Sequence, residues 1–360
     1  MADSNTNAAD VGGPRMLFVP VSGAYGMGEY ARSLAIARAV AARWPRAEIR
    51  FVLSAQAPYI NDVPFEVTRL PASATFHTAE VLETMREFQP QVVIFDNAGR
   101  SAQLRAAKSL GALVIFISAR QRQRRRAFRF RWMQLIDEHW IAYPKFAAGN
   151  LTLLERCKLK LVGAPTVRYL DVIGQAGADK LPQALAQRIE GKPLVLWVPG
   201  GGTGHPGASD ASQVFLEAAR RLAGCQSVVV GGDATDAESQ VLTLPRIPQP
   251  QLLALMGKAQ LVVANGGATL LQAIAQGVPS VAVPIAKDQP RRIAHCVAAG
   301  VTRAASLDPT DMARAAKDLL ADEGARRAMV DRSRALGLAD GTSVAVQALG
   351  ELMGRGRLNA

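Results

Sequence analysis

The sequence predicts an α/β protein made of two doubly wound domains that face each other across a cleft. From Met16 onward, short apolar segments alternate with amphipathic helical patterns, as expected for a parallel sheet with helices on both faces. This alternation begins again near position 193, and each half opens with an apolar strand, a glycine loop and a helix. The 360 residues, 49% of them hydrophobic, are enough to form two such cores.

The first half is predicted to form an N-terminal domain over residues 16–165. Residues 1–15 are small and polar and are predicted to be a disordered leader, whereas residues 166–192, with little apolar periodicity, are predicted to be a linker. The clearest helical patterns are Ala31–Ala42, Ala79–Phe88 and Ser101–Ser109. The predicted strands are Met16–Val21, Glu48–Leu53, Phe65–Leu70, Val92–Phe95, Leu113–Ile117, His139–Ala142 and Leu159–Val162.

The second half is predicted to form a C-terminal domain over residues 193–335, and residues 336–360 are predicted to be a helix that crosses back to the first domain. Its helical patterns are Ser209–Leu222, Thr310–Leu320, Gly324–Leu336 and Thr342–Met353. Its predicted strands are Leu194–Val198, Ser227–Val230, Val241–Leu244, Leu261–Ala264 and Ser280–Val283. Ligands of doubly wound sheets bind beyond the carboxyl ends of the strands. Two domains therefore offer two facing sheet edges, one for each of two substrates.

The composition limits the class of protein and of partner. Forty-two basic residues against 30 acidic ones give a net charge of +12, which indicates an anionic partner. The three cysteines are far apart and form no C-x-x-C pair, so we expect reduced thiols and neither a metal site nor a catalytic cysteine. The sequence contains no signal peptide and no apolar run long enough to span a membrane, which predicts a cytoplasmic location.

The first glycine loop is followed by an acid rather than by a neutral residue. Gly23, Gly26 and Gly28 do not have the G-x-G-x-x-G spacing, and the second strand does not end in an acidic residue, which argues against a nicotinamide or flavin cofactor. Glu29 suits the positive end of a helix dipole but would repel a diphosphate. We therefore interpret Glu29 as a candidate general base. The alternative is a glutamate at a helix start that has no chemical role.

The second glycine loop contains no acid and suits a diphosphate, because backbone N–H groups at a helix start bind anions. A third segment brings further candidates to the same sheet edge: a strand ends at Asn265, a helix follows, and the next strand leads to Asp288. Turn glycines without a ligand are the alternative. The candidate ligand-binding residues at this sheet edge are Gly200, Gly201, Gly202, Thr203, His205, Gly266, Gly267, Ala268, Thr269, Gln272, Asp288 and Gln289.

These segments resemble those of GT-B glycosyltransferases, in particular the peptidoglycan N-acetylglucosaminyltransferase and the UDP-glucuronosyl and UDP-glucosyl transferases. The resemblance runs through nearly the whole chain and rests on the order of four motifs. They are Gly26-x-Gly28-x-x-x-Arg32-Ser33-Leu34-Ala35, Gly163-x-Pro165-x-x-Arg168, the stretch Pro245–Gly267, and "GVPSVAVPIAKDQ" up to Gln289.

The resemblance implies two Rossmann-like domains and a metal-independent, inverting transfer of a sugar. The C-terminal domain is expected to hold a nucleotide-diphosphate sugar, UDP-linked in the relatives, with Arg246 and Ile247 near the base and no cofactor. Asp288-Gln289 resembles the pair that holds the hydroxyls of the donor sugar. Glycine loops and helix starts stabilise the departing diphosphate. A base from the N-terminal domain deprotonates the acceptor hydroxyl, which then attacks the anomeric carbon.

Two positions depart from the pattern of these relatives. Many of them have a histidine where this chain has Glu29, and Asp96 falls where they carry an aspartate that orients that histidine. The two acids could share these roles, or Asp96 could itself be the base. Gln272 replaces a glutamate that accepts from the ribose hydroxyls, which leaves nucleotides other than UDP open.

The segment Arg120–Trp132 contains seven arginines and three aromatic residues. We interpret it, with Gly26 and Gly28, as an acceptor or membrane surface, because arginines beside aromatics suit anionic headgroups and equally an acceptor's pyrophosphate. A solvated helix face is the alternative, and no nucleic-acid fold is evident. The residues assigned to this surface are Arg124, Arg125, Arg126, Phe128, Phe130 and Trp132.

The motif order and the arginine segment together predict a glycosyltransferase that acts on a lipid-linked or amphipathic acceptor. Its predicted location is the inner face of the cytoplasmic membrane, where it would be peripheral. Two other functions remain open: a UDP-sugar hydrolase similar to that of the pseudaminic acid pathway, in which water replaces the acceptor, and a catalytically degenerate relative that only binds nucleotide sugars.

Overall fold

The computed structural model describes residues 13–24, 27–174, 181–189, 191, 193–200, 208–231 and 241–358. It contains two parallel β-sheets with helices packed on both faces of each. The predicted α/β class and the two doubly wound domains are therefore confirmed.

The N-terminal sheet has seven parallel strands in the order β3-β2-β1-β4-β5-β6-β7. Its central strands read as continuous apolar runs because both of their faces are buried. The strands are β1 (Arg15–Pro20), β2 (Glu48–Ser54), β3 (Glu66–Leu70), β4 (Val92–Asp96), β5 (Leu113–Ser118), β6 (Glu138–Ile141) and β7 (Thr166–Tyr169). The helices are α1 (Gly28–Arg43), α2 (Thr78–Phe88), α3 (Ser101–Ser109), α4 (Gln121–Ala127), α5 (Phe130–Met133), α6 (Lys145–Ala148) and α7 (Leu153–Val162).

The C-terminal sheet has six parallel strands in the order β10-β9-β8-β11-β12-β13. The strands are β8 (Leu194–Val198), β9 (Gln226–Val230), β10 (Val241–Leu244), β11 (Leu261–Asn265), β12 (Ser280–Val283) and β13 (Arg303–Ala304). The helices are α8 (Gln183–Arg188), α9 (Ala208–Arg220), α10 (Gln249–Met256), α11 (Ala268–Ala275), α12 (Gln289–Ala298), α13 (Pro309–Ala321), α14 (Glu323–Ala335) and α15 (Gly341–Leu358).

The strand order of each sheet reverses at one point, between β1 and β4 in the first sheet and between β8 and β11 in the second. Open α/β sheets bind ligands in the crevice that this reversal creates at the carboxyl ends of the strands. The first glycine loop follows β1, and Gly200 follows β8. Gly23 and Gly200, which belong to the described parts of the two candidate loops, therefore lie at such crevices.

The prediction of a strand at Leu159–Val162 is wrong, because these residues form the last turns of α7. The alternation of leucine and lysine resembles a strand, but the helix start outweighs it. Thr152 caps the helix by accepting from the Glu155 backbone N–H, and the Glu155 carboxylate accepts from the Thr152 backbone N–H. Gly163, with a φ of 73°, ends the helix in the left-handed conformation.

The N-terminal sheet continues past position 165, into the segment predicted to be a linker. Thr166–Tyr169 forms β7, which pairs with β6 in parallel register. The remainder of the predicted linker contains α8, and Leu185 of this helix packs on the C-terminal core together with the flanking Leu181 and Ile189. At the other end of the domain, residues 1–12 of the predicted leader lie outside the described residues, and Arg15 already belongs to β1.

The last helix, α15, packs on the N-terminal domain rather than on the domain that precedes it in the chain. Its Ala345, Ala348 and Leu349 are fully buried in the same cluster as Ile36 and Val40 of α1. An ion pair of 2.6 Å between Arg168 of β7 and Glu351 joins α15 to the edge of the sheet. The chain thus crosses between the domains twice.

Candidate functional site

The two domains meet around a cavity of about 210 Å³ that both of them line. The N-terminal domain contributes the ends of β5 and β6 and the helices α4 and α6, and the C-terminal domain contributes the start of α12. Beside the cavity, an apolar cluster joins Ala147 and Val172 to Leu270 and Ile293 across the domain boundary. The two domains are therefore packed against each other beside the cavity.

Glu29 lies in the first turn of α1 and its side chain is only 12% exposed. Its Oε1 accepts a hydrogen bond of 2.9 Å from Asn97 Nδ2 and a longer one of 3.3 Å from Arg120 Nη2. Arg120 also lines the interdomain cavity. Within the described part of the chain, the second carboxylate oxygen accepts no hydrogen bond, so it remains able to take a proton.

Asn97 positions Glu29, and the sequence reasoning did not identify it. It follows the end of β4 with a φ of 52°, a left-handed conformation that asparagine tolerates better than most residues. Its Oδ1 accepts from the Ala119 backbone N–H at 2.9 Å, which fixes the amide so that Nδ2 points at Glu29. The available signal was its place directly after Asp96, at the end of a buried strand.

Asp96, the second predicted catalytic acid, is fully buried beneath α1. Arg32 donates to both of its oxygens, at 2.8 and 2.6 Å, and the Ser33 hydroxyl donates at 3.3 Å. Burial raises the pKa of Asp96 to about 6 against the opposing effect of Arg32. Burial alone would lower the pKa of Arg32, but the Asp96 carboxylate outweighs it and the net shift is upward.

This geometry favours Glu29 over Asp96 as the base. Both oxygens of Asp96 are held by a bidentate guanidinium, the strongest kind of carboxylate hydrogen bonding in proteins. Asp96 therefore anchors α1, and with it Glu29, to the end of β4. His139 is not an alternative base, since it lies buried within β6 and bonds to Ser118.

In the C-terminal domain, Asn265 holds the ends of β8 and β11 together. Its Nδ2 donates to the Pro199 carbonyl and its Oδ1 accepts from the Gly267 backbone N–H, both at 2.7 Å. Gly200 has a φ of +112°, and a Cβ on it would lie 2.0 Å from Asn265 Nδ2, so only glycine fits. The helix α11 starts here without a side-chain cap, which leaves its first-turn N–H groups available to an anion.

The predicted pair Asp288-Gln289 divides into two different roles. Gln289 is buried, accepts from the Ile285 backbone N–H at 2.8 Å, and donates to Asn265 Oδ1 at 3.4 Å. It therefore supports the strand ends. Asp288 is 42% exposed, lines the cavity, and forms an ion pair of 3.1 Å with Arg292.

The other predicted donor residues are placed as follows. Ala268 and Thr269 form the start of α11, and Gly266 packs so closely that a Cβ would lie 2.7 Å from Ile293. Gln272 is buried and donates to the Ile173 carbonyl at 3.0 Å, so its amide faces the crossover between the domains. Five predicted residues lie outside the described residues, namely Gly26, Gly201, Gly202, Thr203 and His205.

The two residues predicted to lie near the nucleotide base differ in exposure, Arg246 being at the surface and Ile247 packed inside. Arg246 is exposed and contacts the sulfur of Met27, the residue that precedes Gly28 and α1. Ile247 packs against the C-terminal core. Arg246 therefore reaches across the cleft to the rim of the first glycine loop.

The arginine segment is only partly a surface, because three of the residues assigned to it, Arg124, Phe128 and Trp132, are buried. Phe128 and Trp132 are only 2% and 3% exposed, because α4 and α5 turn them into the N-terminal core. Arg124 is also buried, in an ion pair of 2.8 Å with Glu155, and Arg126 stacks on the Trp132 ring while donating to the Gly99 carbonyl. Of the residues predicted for this surface, Gly28, Arg125 and Phe130 are exposed.

Comparisons with known proteins agree with this architecture. A family model described as UDP-glucoronosyl and UDP-glucosyl transferase matches residues 233–335. Among solved structures, a spinosyn forosaminyltransferase is 14% identical with a TM-score of 0.70, covering 94% of this chain and 99% of its own. A Streptomyces sp. SF2575 glycosyltransferase complexed with thymidine diphosphate is 16% identical with a TM-score of 0.61, covering 94% and 99%.

A third structure shares the fold but not the reaction type. It is a protein from Listeria monocytogenes described as a UDP-N-acetylglucosamine 2-epimerase, 14% identical with a TM-score of 0.63, covering 96% of this chain and 97% of its own. The comparison with curated proteins found no similar sequence. The chain has the GT-B fold, and the family match in its C-terminal domain supports the prediction of a glycosyltransferase.

No helix within the described ranges has the length and apolar character needed to cross a membrane.

Proposed function

We propose that this protein transfers a sugar from a nucleotide-diphosphate donor to an acceptor hydroxyl with inversion, and that Glu29 is the base. The observation that carries this proposal is the position of Glu29. It bonds to Arg120, which lines the same interdomain cavity as Asp288 of the donor-side domain. The proposed base on one domain is thus bonded to a wall residue of the cavity that the sugar-binding candidate of the other domain also lines.

In this mechanism Glu29 takes the hydroxyl proton as the acceptor oxygen attacks the anomeric carbon. The bond between that carbon and the diphosphate oxygen breaks, and its electron pair leaves with the diphosphate. The first-turn N–H groups of α11 suit the developing negative charge, so neither a metal nor a cofactor is required. Asn97 keeps the carboxylate oriented during the attack.

The test is a donor screen that measures nucleotide-diphosphate release from UDP- and thymidine-diphosphate-linked sugars. Transfer predicts release that depends on an added acceptor. Release of free sugar without an acceptor would instead identify a hydrolase. Nucleotide binding without any release, across the panel and with lipid and soluble acceptors, would identify a degenerate binding protein.

We further propose that the acceptor is lipid-linked and that the enzyme docks on an anionic membrane through α7. This helix buries Glu155 and turns its leucines outward, with Leu153, Leu154 and Leu161 exposed by 73%, 65% and 77%. Exposed apolar side chains of this size are uncommon on a protein surface without a partner.

The charge around these leucines supports an anionic lipid surface as the partner. Arg156 and Lys160 are exposed on α7 itself, and Lys158 lies over the ring of the half-exposed Phe130 in α5, 5.3 Å from its centroid. Apolar side chains edged by lysine and arginine are the pattern of helices that lie in the headgroup region of anionic bilayers. We call Phe130, Leu153, Leu154, Arg156, Lys160 and Leu161 the α7 surface.

Vesicle cosedimentation tests the α7 surface. The wild-type chain should bind vesicles that contain an anionic phospholipid more tightly than neutral ones, with a loss of binding at high salt. The double variant Leu153→Ser, Leu161→Ser should bind vesicles at least about tenfold more weakly, because each leucine loses its apolar contact with the bilayer.

The matched control is Phe76→Ser, which removes another exposed large apolar side chain, 75% exposed, outside the α7 surface. This control should bind vesicles like the wild type. Unchanged binding by the double leucine variant would refute membrane docking through α7. Loss of self-association instead of vesicle binding would show that the α7 surface joins two copies of the chain.

A further inference from the structure

The interdomain cavity has an excess of positive charge that internal pairing does not account for. Among the lining residues that belong to the described ranges, five are cations and one, Asp288, is an acid. Two of the cations are used by the protein itself. Arg124 bonds to Glu155 and to three backbone carbonyls, and Arg292 bonds to Asp288 and stacks on Tyr143.

The other three cations are available to a ligand. Lys287 and Arg291 are exposed at the start of α12 and form no ion pair or hydrogen bond within the described ranges. Arg120 is half exposed and makes only the 3.3 Å contact with Glu29. Arg120 comes from the N-terminal domain and the other two from the C-terminal domain, so their charges converge only in the assembled cleft.

From this we infer that the cavity is an anion subsite for the acceptor, holding a phosphate or carboxylate next to the hydroxyl that Glu29 deprotonates. This inference rests on the proposed function and names its substrate class as an anionic acceptor. Arginine and lysine bind both groups through charge-assisted hydrogen bonds. Two or three such bonds in a concave site also raise the local concentration of an anionic substrate.

The position of the cavity favours the acceptor over the donor diphosphate as the source of the anion. Most of its lining belongs to the N-terminal domain, including Ser118, Tyr143 and Ala147. The candidate diphosphate site lies at the uncapped start of α11 and at Gly200, and neither of these lines the cavity. Asp288, which is expected to bind the donor sugar, lies in the cavity wall, between the cavity and the candidate diphosphate site.

The test titrates inorganic pyrophosphate, phosphate and glucuronate into the full chain by calorimetry, with uridine or thymidine diphosphate present at saturation to fill the nucleotide site. At least one anion should bind to the wild type. The double variant Lys287→Ala, Arg291→Ala should bind that anion at least about tenfold more weakly, since two hydrogen bonds to a charged group are lost.

The matched control is Arg105→Ala, Lys317→Ala, which removes the same charge from two exposed positions that do not line the cavity. It should bind the anion like the wild type. Equal anion binding by the Lys287, Arg291 variant, or absence of binding by every anion, would overturn the subsite. Displacement of the nucleotide by pyrophosphate would overturn it too, because the anion would then occupy the donor site.

Nucleotide affinity separates this inference from the proposed function. The Lys287, Arg291 variant should keep the nucleotide affinity of the wild type. If the wild type binds no nucleotide, the proposed function fails, while the anion titration without nucleotide still reports on the cavity. Comparing a lysophosphatidic acid, which has both a free hydroxyl and a phosphate, with the matched monoacylglycerol as acceptor then shows whether the anion belongs to the acceptor, since only the phosphate-bearing acceptor should lose turnover in the variant.

Discussion

At the residue scale, the site depends on a carboxylate that the protein holds from several sides. Asn97 donates to Glu29, Arg120 contacts the same oxygen, and the ion pair between Arg32 and Asp96 fixes the helix on which Glu29 stands. The sequence could predict Glu29, because an acid after a glycine loop at a helix start is a local pattern. It could not predict Asn97, whose role depends on the backbone of Ala119 in a different part of the chain.

Replacing Asn97 with glycine should test its positioning role without straining the backbone, because glycine readily adopts the positive φ found there. We expect kcat to fall about tenfold or more, since a misoriented base loses part of its effect. The KM for the donor should not change. A drop in donor affinity of the same size as the drop in kcat would assign Asn97 to the fold rather than to the base.

The buried His139 predicts a pH dependence of stability. Burial, and to a lesser extent the nearby Arg124, lower its pKa from 6.5 to about 3. Between these values the unfolded chain holds one more proton than the folded chain, so His139 contributes stability above pH 6.5 that is lost as the pH falls toward 3. Asp96 has a raised pKa and acts in the opposite direction.

Comparison with His139→Gln isolates the histidine, because Asp96 is present in both proteins. Between pH 6.5 and 4, the free energy of unfolding of the wild type should fall more steeply than that of the variant, by about 1.4 kcal/mol per pH unit. Denaturant unfolding across this range measures the difference. Parallel pH profiles would mean that His139 is protonated in the folded state.

At the element scale, the errors of the sequence reasoning have one physical cause. The interpretation of the pattern Lys-Leu-Lys-Leu-Val in α7, and that of the arginine segment in α4 and α5, both depend on which side of an element faces the protein. In α7 the leucines face outward because Glu155 is drawn inward by Arg124. In α5 the Trp132 ring packs against Phe116 inside the core. Local composition does not contain this information, because the deciding partner lies elsewhere in the chain.

The helix α15 should be essential to the domain on which it packs. Leu349→Ala should lower the free energy of unfolding of the N-terminal domain by about 2–5 kcal/mol, because Leu349 is fully buried against α1 and its loss leaves a cavity. Gln347→Ala on the exposed side of the same helix is the control and should change it by less than about 0.5 kcal/mol. Equal effects of the two would show that α15 contributes no core.

At the scale of the whole molecule, the sequence predicted the two-domain architecture but not the charged residues that meet in the interdomain cavity. Repeated strand, glycine loop and helix patterns are local signals, and they gave both doubly wound sheets and the two facing edges. The missed β7 and β13 are short strands at sheet edges, with less apolar burial to mark them. The charge of the cavity was not predictable, because Arg120 and Arg291 are 171 positions apart and meet only through domain packing.

In the proposed mechanism the two sheet edges have separate roles, because one carries the base and the other binds the nucleotide. A change at the base should therefore affect turnover and leave nucleotide binding as it is. Glutamine has nearly the same shape as glutamate. Glu29→Gln is therefore the appropriate change, since it removes the proton acceptor and keeps the size of the side chain.

The most direct measurement is the acceptor-dependent turnover of Glu29→Gln on the donor that the screen identifies, together with its nucleotide Kd. The account predicts a fall in kcat of about 10²–10⁴-fold, the usual contribution of a general base, with an unchanged Kd for the nucleotide. Turnover equal to that of the wild type would contradict it, because Glu29 would then not be the group that deprotonates the acceptor.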